Sequence, residues 1–363
     1  MLLLGIAAAC KPSVSSDTNL PDEDVQPEAE EEGCTNTFPA DVMPVQRITE
    51  YGTELLSRED IIPKHLSETG LYIDILTKEI HPAFQEFTPR FQLWSDGAEK
   101  RRWVYIPECD QIDASDIDDW SFPVGTRFFK EFAIDGKLIE TRFIERIGEG
   151  PRDFAYASYL WNEDESEAEI VGELGLLSVK NTEHDIPSKQ DCLRCHGSYA
   201  LGGGRASRAL GFSAIQLNHT DTALSLEELI DQDRFVLAPD IEAAQIAGDE
   251  PTQEALGYLH ANCGNCHHQD TDRLPQFNLN LWLDAGITSP ALYGAWQSAI
   301  DNPAQIFQDQ HVDARIVSGN PERSALIYRM QNRGNTAQMP PIGTKIVDEA
   351  GLQLLSDWIS SLP

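Results

Sequence analysis

Two five-residue stretches constrain this chain more than anything else in it: Cys192-Leu193-Arg194-Cys195-His196 and Cys263-Gly264-Asn265-Cys266-His267. Each reads C-x-x-C-H, the attachment signature of a c-type haem. Two thiols add to the two vinyl groups of one porphyrin, and the next residue must present an imidazole to the iron. Positions i, i+3 and i+4 share a face of a helical turn. Cys263, Cys266 and His267 can therefore meet one haem, and Cys192, Cys195 and His196 another.

Three other origins for the motifs are weaker. A structural zinc site pairs its C-x-x-C units about 15–20 residues apart, whereas the first cysteines here, at 192 and 263, are 71 positions apart. A thioredoxin-like redox motif gives no role to the histidine that follows each second cysteine. Chance does not account for two matches in a chain with seven cysteines and nine histidines. The expected cofactors are two covalently bound haem c groups, with His196 and His267 as proximal iron ligands.

The compartment follows from the chemistry and the composition. Haem attachment of this kind takes place outside the cytoplasm. The opening Met1-Leu-Leu-Leu-Gly-Ile-Ala-Ala-Ala-Cys10 is too short to span a bilayer. It is similar to the end of a bacterial secretion signal, with small residues before Cys10 as in a lipobox. Residues 1–9 are thus expected to be a signal segment and Cys10 a lipidation site, with Lys11 pointing to the outer membrane. The expected location is the periplasm, the outer membrane or the cell surface, with contact to the membrane only through the lipid. Sixty acidic residues against 27 basic ones give a formal net charge of −33. That excess argues against nucleic acid as a partner and favours a redox partner with a basic docking surface. Four cysteines assigned to haem and Cys10 to lipid leave Cys34 and Cys109, which an oxidising compartment allows to pair. A bridge closing about 75 residues is expected to contribute a few kcal/mol.

Residues 10–35, rich in Ser, Pro, Asp and Glu, read as an acidic disordered tether. Residues 36–180 read as a β-rich domain. Arg101 to Ile106 is aromatic and β-branched, and Asp153 to Trp161 alternates. Thr126 to Ile134 and Lys137 to Ile147 flank Asp135-Gly136, a two-residue hairpin signal. The triplet Lys100-Arg101-Arg102 reads as a solvated strand face rather than a dock for an anion. This region holds no nucleophile elbow, no HExxH pair and no phosphate loop.

Residues 181–250 form the first haem-binding segment, rich in loops. Its Leu201-Gly-Gly-Gly-Arg-Ala-Ser-Arg208 suits a loop wrapped on a porphyrin, with Arg205 and Arg208 as candidates for pairing haem propionates. Residues 251–363 form an α-helical haem domain. Pro251 suits a first helical position, and Ala255, Leu256 and Leu259 make an apolar stripe into Cys263. Ala350 to Leu362 is a second helix with Leu352, Leu355, Trp358 and Ile359 inward. Between them Met339 precedes two prolines, which keep it out of a helix and leave its thioether for the second iron. Met330 is the second choice. For the first iron the sixth position is open between His184, His219 and no ligand, since Met43 and Met330 are remote in sequence.

Residues 251–363 resemble a class I cytochrome c domain. From about Phe91 onward the chain resembles an uncharacterised bacterial family of dihaem c-type cytochromes, on Leu93-Trp-Ser-Asp96, Phe122-Pro-Val-Gly-Thr126, Ile139-Glu-Thr-Arg-Phe143, Tyr159-Leu-Trp-Asn162, Gln216-Leu-Asn218 and Ser318-Gly-Asn-Pro-Glu-Arg-Ser324. The resemblance implies an exported electron carrier rather than an enzyme. The alternatives are a dihaem peroxidase with an open iron, and a β-domain binding module whose redox outlet is the haems. The expected fold class is α+β: a β-rich domain, a loop-rich haem segment, and an α-helical cytochrome c-like domain.

Overall fold

The β-pattern between residues 99 and 161 becomes the middle of the molecule in the computed structural model, which describes residues 62–150, 153–196, 209–268 and 278–363. Strands β1 (Tyr72–Asp74) and β2 (Glu79–Ile80) form a small pair. Strands β3 (Gln85–Glu86), β4 (Glu99–Tyr105), β5 (Arg127–Ile134), β6 (Lys137–Arg146), β7 (Phe154–Trp161) and β8 (Ala168–Ile170) form one antiparallel sheet in chain order. The β5–β6 turn is the expected one: Asp135 and Gly136 have φ of 50° and 73°, as a two-residue type I′ turn requires. Helices α1 (Lys189–His196), α2 (Ala214–Leu217), α3 (Leu226–Asp231), α4 (Glu250–Leu259), α5 (Gly294–Ala299), α6 (Ala325–Gln331) and α7 (Glu349–Ser361) follow. The class is α+β.

Both faces of the sheet are covered, so its strands lack the alternation of a half-solvated antiparallel sheet. On one face the cross-strand row Trp103–Phe129–Phe143–Ala157 packs with Leu66, Leu71, Tyr72 and Phe84. On the other, the row Val104–Phe128–Ile144–Tyr156 packs with Phe212, Leu217, Leu226 and Leu229. The second core therefore joins the sheet to residues 209–244, and the boundary expected at 180 does not separate two cores. Nor does the one at 250, since Phe91 and Ile215 belong to the helical core built on α4 and α7. The physical reason is the same in both places. A six-stranded sheet has two apolar faces to bury, and its own loops cover only one.

In the helical part, Asp249 caps α4 by accepting from the Thr252 amide, with Pro251 in the first turn, and Asp348 caps α7 by accepting from Gly351. Such caps are worth about 1 kcal/mol each. Leu256, Leu259, Leu355 and Ile359 are fully buried, each contributing about 1.5–3 kcal/mol. Two glycines permit the close approach: a Cβ on Gly257 would stand 2.2 Å from Phe91, and one on Gly351 2.4 Å from Tyr258. The Leu93–Asp96 segment ties sheet to helices. Trp94 donates from its backbone to Asn262 and from its ring to the Ile346 carbonyl, and the Asp96 carboxylate accepts from the Lys345 and Ile346 amides. Among the described residues no helix is long and apolar enough to cross a membrane.

Candidate functional site

Each C-x-x-C-H stretch is wound into a turn. The first forms most of α1, opened by Ser188, whose hydroxyl accepts from the Asp191 amide. The second continues α4 through a π-helical turn, His260–Gly264, an irregularity frequent at functional sites. The amides of Cys266 and His267 both donate to the Cys263 carbonyl, at 3.1 and 2.9 Å. Gly264 fills the first x position because a Cβ there would lie 3.0 Å from the Leu281 carbonyl oxygen.

The two turns meet at one cavity of about 840 Å³, enclosed by the sheet, α1 and the helical part. Cys192, Cys195, His196 and Cys266 line it, and the His196 ring lies 5.6 Å from that of Tyr156. Cys195 and Cys266, 71 positions apart in sequence, share a thiol–thiol hydrogen bond, and Cys266 also donates to the Arg194 carbonyl at 3.8 Å. Cys263 packs against the helical core. Neither it, His267 nor Met339 lines the cavity, although Gln338, Pro340 and Pro341 beside Met339 do.

None of the four cysteines is in a disulfide, and three thiols are clearly shifted towards the neutral form. Its bond to Cys266, then burial, pushes the Cys195 thiol well up. Burial pushes Cys263 up to about 12, and burial outweighs Arg142 to raise Cys192. A disulfide oxidoreductase needs the opposite, a thiol pKa brought down. Among the described residues no group of three or more His, Cys, Asp or Glu is placed to hold a bare metal ion, as a four-thiolate zinc site would require. No protein-family model, curated protein or solved structure matches the chain. Its chemistry rests on its own residues, and these fit a porphyrin. The cavity has the roughly 300–1,000 Å³ of a cofactor pocket, neutral thiols and an imidazole face it, and Phe91, Trp94, Trp120 and Phe122 give it aromatic walls.

The remaining candidates separate as follows. His184 is buried and lines the cavity, with Nε2 2.8 Å from Glu140 Oε2. His219 does not line it, and its Nε2 donates to the Thr88 carbonyl at 2.9 Å. Met330 is buried in the helical core. Cys109 is disulfide-bonded. Its expected partner Cys34 lies outside the described residues, as do Cys10, Met43, Arg205 and Arg208. His260, unremarked in the sequence, lines the cavity with the Leu283 amide donating to its Nδ1 at 3.1 Å.

The basic triplet is not a solvated face. Arg101 is exposed and paired with Glu86, but Arg102 is 4% exposed and lines the cavity. In the register Arg102 stands opposite Lys130, and Lys130 opposite Arg142. Three cations thus form one row across β4, β5 and β6, all on the cavity wall. Glu140 holds the Arg142 end with two bonds of 2.8 and 2.9 Å. No pattern in the sequence pointed to this row, because it depends on register and not on spacing.

Proposed function

We propose that this chain is a dihaem c-type cytochrome, an exported or surface-anchored electron carrier whose residues 251–363 act as a class I cytochrome c-like domain. The observation that carries the reading is that the first C-x-x-C-H turn and Cys266 of the second line one aromatic cavity, with Cys195 and Cys266 in contact. Cys192 and Cys195 would hold one haem and Cys263 and Cys266 the other, with His196 and His267 as proximal ligands. When bound, each haem supplies a one-electron Fe(II)/Fe(III) couple. Attachment points in contact place the two groups close enough for one to relay to the other.

The histidines at the cavity differ in what they offer iron. A ligating imidazole donates its other ring N–H to an acceptor. His260 accepts at Nδ1 instead, so in the neutral ring the proton is on Nε2, the nitrogen a ligand would use. His184 and His219 each direct Nε2 to an acceptor and keep Nδ1, but only His184 lines the cavity, which makes it the better candidate to ligate the first haem's iron. Ligation by His184 would favour a carrier over a peroxidase. The acidic surface supports a basic redox partner, with association weakening as salt rises.

A pyridine haemochrome assay is expected to return two haems per chain, and low-temperature EPR of the oxidised protein two low-spin ferric centres. A high-spin species holding half the iron, together with turnover of hydrogen peroxide, would replace the carrier by a peroxidase. Met339→Ala is expected to abolish the weak far-red band of ferric iron bound to a thioether and to lower one reduction potential, since thioether ligation raises it. Retention of both would assign that iron another ligand.

A further inference from the structure

The cavity wall carries a charge arrangement that the described residues do not balance. Arg102, Lys130 and Arg142 face one another across adjacent strands, where like charges directly opposite are destabilising. Arg142 has Glu140. Among the described residues the Arg102 guanidinium bonds only the Gln92 amide oxygen, at 3.4 and 3.5 Å. Lys130 makes no hydrogen bond or ion pair among the described residues, and its Nζ lies over the Phe132 ring at 4.8 Å. Burial, then Arg102, Arg142 and Lys100, push the Lys130 ammonium well below its ordinary range.

Among the described residues Glu140 is the one carboxylate with an ion pair to the row. Asp96 accepts from the Lys345 and Ile346 amides, Asp118 from Ala285, Asp185 from the Lys345 ammonium, and Asp191 pairs with Arg194. A buried guanidinium and a partly buried ammonium without an anion cost more than apolar residues would at the same place. In a chain with a net charge of −33, such a row marks a place for an anion beyond the described residues.

We propose that Arg102 and Lys130 bind the propionate carboxylates of the haem attached at Cys192 and Cys195. The proposal rests on the dihaem reading and goes further in naming where the macrocycle points. Arg142 stands at the thiol end, for its charge acts on Cys192 and Cys195. The row runs from there across two strand spacings, about 10 Å, to Arg102. In the porphyrin the vinyl edge, where thioethers form, lies opposite the edge bearing the two propionates. A macrocycle fixed at the thiols and laid along the row therefore brings its carboxylates to Lys130 and Arg102. Guanidinium and ammonium donors give charge-assisted bonds to carboxylate. Cations at that edge also favour the reduced haem, which carries one more negative charge.

The test uses the full chain with both haems attached and a spectroelectrochemical titration that resolves two potentials. Arg102→Gln with Lys130→Met is expected to keep two haems and to lower one potential. A tenfold weaker hold on the electron is about 59 mV. The other potential stays in place, and the charge-keeping pair Arg102→Lys with Lys130→Arg restores the first. If the double variant does not fold, Lys130→Met decides alone, because that side chain makes no hydrogen bond to lose. Two haems with neither potential moved would overturn the proposal. So would a wild-type potential that shifts on adding inorganic phosphate while the variant does not respond, which would make the row a site for a diffusible anion. Fewer than two haems in the wild type would instead overturn the dihaem reading itself.

Discussion

Replacing Cys263 and Cys266 by alanine is expected to halve the haem content, from two per chain to one, and Cys192→Ala with Cys195→Ala to do the same. Intact-mass measurement reads the result directly, because a thioether keeps the haem on the denatured chain. The four thiols form two independent pairs, since each pair spans one turn: the Cys266 and His267 amides both close on the Cys263 carbonyl, and Cys192 and Cys195 sit within α1. The consequences for the fold differ. Cys263 packs on the helical core, so losing its haem lowers the melting temperature of that part. Its helices persist, because Leu256, Leu259, Leu355, Trp358 and Ile359 bury one another. Cys192 and Cys195 lie on a helix with no fully buried side chain, so their loss leaves that core untouched. Two haems retained in either double variant would sink the assignment of those cysteines, and a chain without any haem in either would sink the independence of the pairs.

Local signals were legible in the sequence where a single backbone requirement set them. Asp135-Gly136 demanded positive φ at two neighbouring positions, and Pro251 and the stripe of Ala255, Leu256 and Leu259 demanded a helix. What the sequence hid was set by pairing between distant segments. Lys100-Arg101-Arg102 looks uniformly solvated because charge usually means solvent. In a strand, however, neighbours face opposite ways, and Arg101 and Arg102 divide between an exposed ion pair and a buried cavity wall. Ile139-Glu-Thr-Arg-Phe143 read as part of a strand and of the family resemblance, not as part of a site, although Glu140 and Arg142 share a face two residues apart and stand at the site. The thiol contact between Cys195 and Cys266 was likewise out of reach, for it depends on how α1 and the turn after α4 are packed. Phe91 shows the same limit from the apolar side: only the three-dimensional fit over Gly257 places it in the helical core.

Glu140→Gln is expected to cost about 3 kcal/mol and to remove part of the acid sensitivity of the fold. The Glu140 side chain is fully buried. It accepts from Arg142 Nε and Nη2 at 2.8 and 2.9 Å, and its other oxygen contact is His184 Nε2 at 2.8 Å. Burial alone pushes its carboxyl up, but the charge and bonds of Arg142, with the bond from His184, outweigh that and hold it at about 2. A carboxyl depressed on folding stabilises the folded state above its ordinary value of 4.5, and that contribution is lost as pH falls through 4.5 towards about 2. The gap between those values corresponds to about 3 kcal/mol. Glutamine keeps one acceptor but leaves the Arg142 guanidinium, itself 25% exposed, without its counter-ion, a loss at the lower end of the roughly 3–5 kcal/mol of a buried pair. In a chain of this size a loss of about 3 kcal/mol lowers the melting temperature by roughly 4 °C. Wild type and variant should therefore differ most near neutral pH and converge between pH 4.5 and 2, followed by thermal melts across that range. Arg142→Met added to Glu140→Gln should recover part of the loss by removing the stranded charge. A difference that stays constant as pH falls to 2, or a double variant less stable than either single one, would show that the Glu140–Arg142 pair does not hold this edge of the cavity.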